Sequence, residues 1–94
     1  MTIEQLRTFL WVARLGGFRK ASQRLFLSQP AVSTRIANHE DELGTKLFNR
    51  SSGAFQCTKM GQQLPGYTEQ MLFVEEEITH RVANPAETEE SFFG

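Results

Sequence analysis

The sequence predicts a mostly α fold: a three-helix core, a small β-hairpin and one long closing helix. Three observations carry that expectation. Apolar residues recur at helical spacing over residues 3–15 and again from about Lys59 to Ala83. Hydroxyl residues stand where three helices would start (Thr2, Ser28, Thr58), and glycines stand where two would stop (Gly16-Gly17, Gly44). Two short β-prone pieces, KLFNR and AFQCT, flank Ser51-Ser52-Gly53. Ninety-four residues are enough for one small core and not for a second.

The first helix places Ile3, Leu6, Phe9, Leu10 and Ala13 on one face, with Thr2 as cap and Gln5 three residues on. Trp11, Val12 and Leu15 make a second apolar stripe, so this helix expects neighbours on two sides. A short helix from about Arg19 to Leu25 turns Phe18, Ala21 and Leu25 inward. After a turn over Phe26 to Ser28, a third helix runs to about Leu43. Pro30 sits in its first turn, where a missing N–H removes no bond. Val32, Ile36 and Leu43 share its inner face, with His39 at the edge. In the long helix Met60, Leu64, Tyr67, Met71, Val74 and Ile78 alternate at spacings of four and three, a seam of the coiled-coil kind, and Pro65 falls in its early turns. Asn84-Pro85 ends it.

The net charge of −1 hides an asymmetry. Up to Gln63 nine Lys or Arg face four acids, a balance of +5; from Leu64 onward Arg81 faces seven acids, a balance of −6. The basic part suits a polyanion partner. Helix, tight turn, helix in a basic setting is the helix-turn-helix pattern, whose second helix enters the DNA major groove by its N-terminal end. Close approach there needs small side chains and polar atoms, and Ser28, Gln29, Pro30, Ala31, Ser33 and Thr34 supply them. Gln29 can pair with an adenine edge, and Pro30 and Ala31 can lie against a thymine methyl. Ser33, Thr34 and Arg35 can reach phosphates or bases. Glu40, Asp41 and Glu42 stand at the other end, where they would repel phosphate. The expected helix is therefore polarised, its start toward DNA and its finish away.

Residues 3 to about 64 resemble the N-terminal winged helix-turn-helix domain of the LysR-type transcriptional regulators. The matching marks are Leu6, Phe9, Gly17-Phe18, Ala21, Leu25, Ser28-Gln29-Pro30-Ala31-Val32-Ser33, Ile36, Glu40, Leu43-Gly44, Leu47-Phe48, Arg50, Thr58 and Gly61. The chain departs from that pattern at Gly17 (usually Ser), Ser22 (usually Ala), His39 (usually Leu) and Cys57 (usually Leu). Thr34 stands where Arg is frequent. The resemblance implies the winged form of the fold, and dimers or dimers of dimers paired through the long helix, about Thr58 to Ala83. It also implies a separate C-terminal domain that senses a small-molecule effector, starting near Phe92-Phe93-Gly94. It places Gln29, Pro30, Ala31, Ser33 and Thr34 at bases or nearby backbone, with Arg50 and the wing on the backbone or minor groove.

The two readings together nominate Arg19, Lys20, Ser28, Gln29, Pro30, Ala31, Ser33, Thr34, Arg35, Arg50, Ser51 and Ser52 as double-stranded DNA contacts. They nominate Trp11, Leu15, Leu64, Tyr67, Met71, Val74 and Ile78 as a homodimer interface. The expected organisation is a DNA-binding domain over 1–58, a dimerising helix over 59–84 and a linker over 85–94. The competing function is a helical protein-interaction module without DNA contact, which the acidic second part favours. An enzyme is not expected: His39 and His80 are isolated, Cys57 has no base at readable spacing, and neither a phosphate-cradling glycine loop nor a metal-ligand cluster is present. No cofactor or metal is expected. A single cysteine excludes an intrachain disulfide. With no apolar run of about 18 residues and no secretion-signal pattern, a cytoplasmic location without membrane contact is expected.

Overall fold

A computed structural model of the chain describes residues 1–49 and 53–86. Its elements run α1 (Ile3–Leu15), α2 (Phe18–Leu25), α3 (Gln29–Leu43), β1 (Phe48–Asn49), β2 (Gln56–Cys57) and α4 (Lys59–Ala83). The caps explain the boundaries. Thr2 Oγ1 accepts from the Gln5 N–H at 3.1 Å while Gln5 Oε1 accepts from the Thr2 N–H at 2.9 Å, a closed capping box. Ser28 Oγ accepts from the Ala31 N–H and Thr58 Oγ1 from the Gly61 N–H, each at 3.1 Å. Gly16 and Gly44 end α1 and α3 in the left-handed region, at φ of 75° and 71°, where a side chain would be strained. The strands pair antiparallel, Phe48 opposite Cys57 and Asn49 opposite Gln56.

The core gathers Phe9 and Val12 from α1, Phe18 and Ala21 from α2, Val32 and Ile36 from α3, and Leu47 and Phe48 from the return to β1. Phe48 is its hub, with ring centroids 5.6 Å from Phe9, 5.7 Å from Phe18 and 5.2 Å from Phe55. Cys57 packs partly buried against this cluster, and burial pushes its thiol up from the ordinary value, away from a reactive thiolate.

The inner face of α3 differs from the expected one. Leu43 is exposed, and His39 and Glu40 are the buried residues of the last two turns. Glu40 is 8% exposed. Its Oε2 accepts from the backbone N–H groups of Leu47 at 2.7 Å and Phe48 at 3.3 Å, and Lys46 Nζ lies 3.9 Å from its Oε1. Glu42 accepts from the Met1 amine at 3.0 Å and from Gln5 Nε2 at 3.4 Å. Two of the three acids expected to form a repelling tip are thus bound within the fold. For Glu40 the reason is the chain's return after Gly44, which aims the donors of Leu47 and Phe48 back at α3, and for Glu42 it is the start of α1 lying alongside.

His39 is 2% exposed, its ring edge-on to Phe9 at 6.0 Å, and among the described residues neither ring nitrogen has a hydrogen-bond partner. Burial pulls its pKa below 6.5; Glu42 and Glu40 oppose that shift, and the Met1 amine adds to it.

Two outcomes follow from these groups. A histidine held below its unfolded pKa binds fewer protons when folded. Stability is therefore full above about pH 6.5 and declines as the pH falls toward the folded-state value. Urea titrations at about pH 8 and about pH 5 should show that decline, and His39→Leu should abolish its histidine component and raise stability by ~1–3 kcal/mol at the lower pH. Glu40→Ala strands two buried N–H groups and should lower stability by ~2–4 kcal/mol in urea unfolding at neutral pH, with Glu40→Gln losing less because its carbonyl still accepts.

Candidate nucleic-acid interface

α2, the turn after it and α3 form one corner of the molecule, held from behind by Val32 and Ile36, which are 0% and 2% exposed. With those two residues fixed inward, the helical period turns Pro30 and Thr34 outward. Ser28 and Gln29 are also exposed, and Ala31, Ser33 and Arg35 are half-buried along the flanks. The outward face continues through Ala37 and Asn38, which the sequence reading did not single out; their spacing from Pro30 and Thr34 was the available signal. The N-terminal end of α3 has no side chain larger than Gln29 or Pro30 in its first turn, and the aligned peptide dipoles make that end positive.

α2 adds charge beside this tip. Arg19 and Lys20 are exposed at its start, and it contains no acid. Arg24 is turned back, its guanidinium 4.3 Å from the centre of the Trp11 ring. The turn holds a feature that the sequence reading missed. Phe26 caps α2 in the left-handed region, at φ 57° and ψ 42°, and is 94% exposed. With no glycine in that turn, the Phe backbone takes the strained conformation itself.

A groove of about 470 Å³ separates α3 from the start of the hairpin, lined by Ser33, Ala37, Glu40, Lys46, Asn49 and Thr58 among others. The nominated hairpin contacts Arg50, Ser51 and Ser52 lie outside the described residues, as do Phe92, Phe93 and Gly94 of the tail.

The nominated interface residues of α1 and α4 divide. Tyr67, Met71, Val74 and Ile78 lie exposed on one face of α4, and Val82 extends the same row. Leu64 instead packs against the core, Gly61 sits against Leu47, and Thr68 and Leu72 continue the inward side of α4. Trp11 is half-buried against the core under Arg24, and Leu15 is half-buried. The heptad spacing does not distinguish a seam between molecules from the edge of a contact within one, which is why Leu64 reads with its neighbours. Among the described residues no group of three His, Cys, Asp or Glu is placed to hold a metal ion, and no helix is long and apolar enough to cross a membrane.

Comparison with known proteins bears on this arrangement. Residues 3–62 match the family described as bacterial regulatory helix-turn-helix protein, lysR family. A probable RuBisCO transcriptional regulator of Cyanidioschyzon merolae is 42% identical over 76 residues, covering 81% of this chain and 25% of its own length. The HTH-type transcriptional regulator HdfR of Yersinia pestis is 42% identical over 72 residues, covering 77% of this chain and 25% of its own. This chain therefore spans about a quarter of the length of the curated relatives it matches. Among solved structures, a CbnR_DBD–DNA complex superposes with a TM-score of 0.83 at 28% identity, covering 92% of this chain and 99% of that one. A BenM_DBD/catB site 1 DNA complex gives 0.79 at 32% identity, covering 89% and 98%. The fold is a winged helix-turn-helix followed by a long helix, and the chain belongs to the LysR family of bacterial helix-turn-helix transcriptional regulators.

Proposed function

We propose that this chain is the sequence-specific DNA-binding part of a transcriptional regulator, and that it places the N-terminal end of α3 in the major groove. The observation that carries the reading is the composition of that end: an exposed, small and polar first turn at a positive helix terminus, beside the exposed Arg19 and Lys20, backed by buried Val32 and Ile36. Gln29 reads a base edge, and Pro30 and Ala31 lie against a methyl. Ser28, Ser33, Thr34 and Arg35 contact backbone or bases, and Arg19 and Lys20 contact phosphates. Arg50, Ser51 and Ser52 join from the wing, on the family resemblance. The two solved DNA complexes of similar domains support this assignment.

The chain acts as a symmetric homodimer in this proposal. Tyr67, Met71, Val74 and Ile78 form an exposed apolar row on a helix otherwise rich in acid, which favours burial against a second copy. Trp11 and Leu15 border that contact, and Leu64 serves the core. The dimer reads a two-fold symmetric operator. The rest of a longer protein, by the family resemblance, would carry the effector-sensing domain and pair such dimers.

Selection from random duplexes followed by gel shift tests the reading, and a two-fold symmetric consensus is the expected result. Against that consensus, Gln29→Ala should cost ~1–3 kcal/mol and relax the preference at one base position in each half-site. Lys20→Ala should weaken binding to all sequences alike and flatten the salt dependence by about 0.9 in log–log slope per half-site contact. Binding insensitive to salt would favour the protein-interaction reading instead. Val74→Glu should shift sedimentation from dimer to monomer without changing the circular dichroism spectrum.

A further inference from the structure

We infer that the ion pairs Arg14–Glu69 and Arg7–Glu75 are positioning residues that fix the angle at which α4 leaves the DNA-binding unit. They thereby select the spacing of the two half-sites that a dimer can read. This rests on the dimeric DNA-binding reading above.

The start of α4 is held by close contacts that make it the fulcrum of the helix. Thr58 Oγ1 donates to the Lys46 carbonyl at 2.7 Å and accepts from the Gly61 N–H. Gly61 approaches the Leu47 carbonyl so closely that a Cβ there would sit 2.0 Å from its oxygen. Thr68, 4% exposed, is the last buried residue of the helix among those described. Beyond it the inward side offers Leu72, half-buried, and then polar groups. Two charged contacts bracket that thin stretch. Arg14 pairs with Glu69, and Arg7 Nη2 donates to Glu75 Oε1 at 3.1 Å. α1 and α4 run antiparallel here, so the later arginine meets the earlier glutamate. One pair alone would act as a pivot. Two pairs, about 9 Å apart along α4, fix both its axial register and its tilt against α1.

Small tilts matter because the helix is long. Twenty-five residues span about 37 Å, so a tilt of about 10° around the first turns moves the far end by about 6 Å, roughly two base-pair steps. Exposed ion pairs are individually weak and screened by salt, so their restraint on the tilt is read at low salt and as a change of a few-fold in affinity. All four side chains belong to α1 and α4, and none is among the nominated DNA contacts.

The test uses the 94-residue chain and a panel of duplexes carrying the selected half-site twice, with the separation varied one base pair at a time, plus a duplex with a single half-site. Binding is read by fluorescence anisotropy at low salt. The parent should show one optimum, with affinity falling about tenfold two base pairs away. Glu69→Gln with Glu75→Gln removes both pairs without reducing basic charge. That variant should flatten the profile to within about threefold across the panel while its affinity for the single half-site stays at the parent's. The swap R7E/R14E/E69R/E75R should restore an optimum. A glutamine variant that keeps the parent's optimum and its depth overturns the inference, as does one whose single half-site affinity falls in step with the rest. A parent with no preferred spacing overturns the dimeric reading and the inference with it.

Discussion

The carboxylate of Glu40, buried at the end of α3 and accepting from Leu47 and Phe48, is the constraint on which the rest of the molecule depends. It fastens the returning chain to α3 after the left-handed turn at Gly44. That return delivers Leu47, fully buried, and Phe48, the hub of the aromatic cluster, into the centre. With the return in place, Leu47's carbonyl receives the Thr58 N–H and sits against Gly61, so the base of α4 is located by the same few atoms. A charged acceptor serves this role well because a buried carboxylate satisfies two backbone donors at once, and such bonds are stronger than neutral ones.

The arrangement divides labour along α3. Its distal half is tied to the domain: His39 lies buried against Phe9, Glu40 holds the wing return, and the exposed Glu42 meets the Met1 amine and Gln5. Its first half has Val32 and Ile36 fully buried, with Gln29, Pro30 and Thr34 exposed and Ala31, Ser33 and Arg35 half-buried on the flanks. The polarity of this helix thus has a mechanical origin. One end is bolted into the domain, which leaves the other end rigid and uncluttered, a condition for reading base edges at hydrogen-bond distance. His39 strains this design: an imidazole stands where the family resemblance expects leucine, with two polar atoms and no partner among the described residues.

Much of this was legible in the sequence because caps and periodicity are local. Thr2 with Gln5, Ser28 with Pro30, and Thr58 each announce a helix whose start follows from one side chain and one N–H. What was not legible depends on contacts between distant segments. Glu40, Asp41 and Glu42 form a single acidic run in the sequence, and nothing local tells which carboxylate will meet donors seven residues later. Leu43 continues the helical stripe yet overshoots the core, and Leu64 belongs to the heptad row yet faces inward. The turn at Phe26 is legible but its geometry is not, because an exposed aromatic in the left-handed region runs against both residue preference and burial.

The central claim is that duplex DNA meets the first turn of α3 and the start of α2. Amide chemical-shift mapping of the isotopically labelled chain during titration with its selected duplex tests this most directly. The account predicts that the largest shifts fall on Arg19, Lys20, Ser28, Gln29 and residues 31 to 35, while Asp41 to Thr45 stay in place. Shifts concentrated on the outer face of α4, with residues 28 to 35 unmoved, would contradict it.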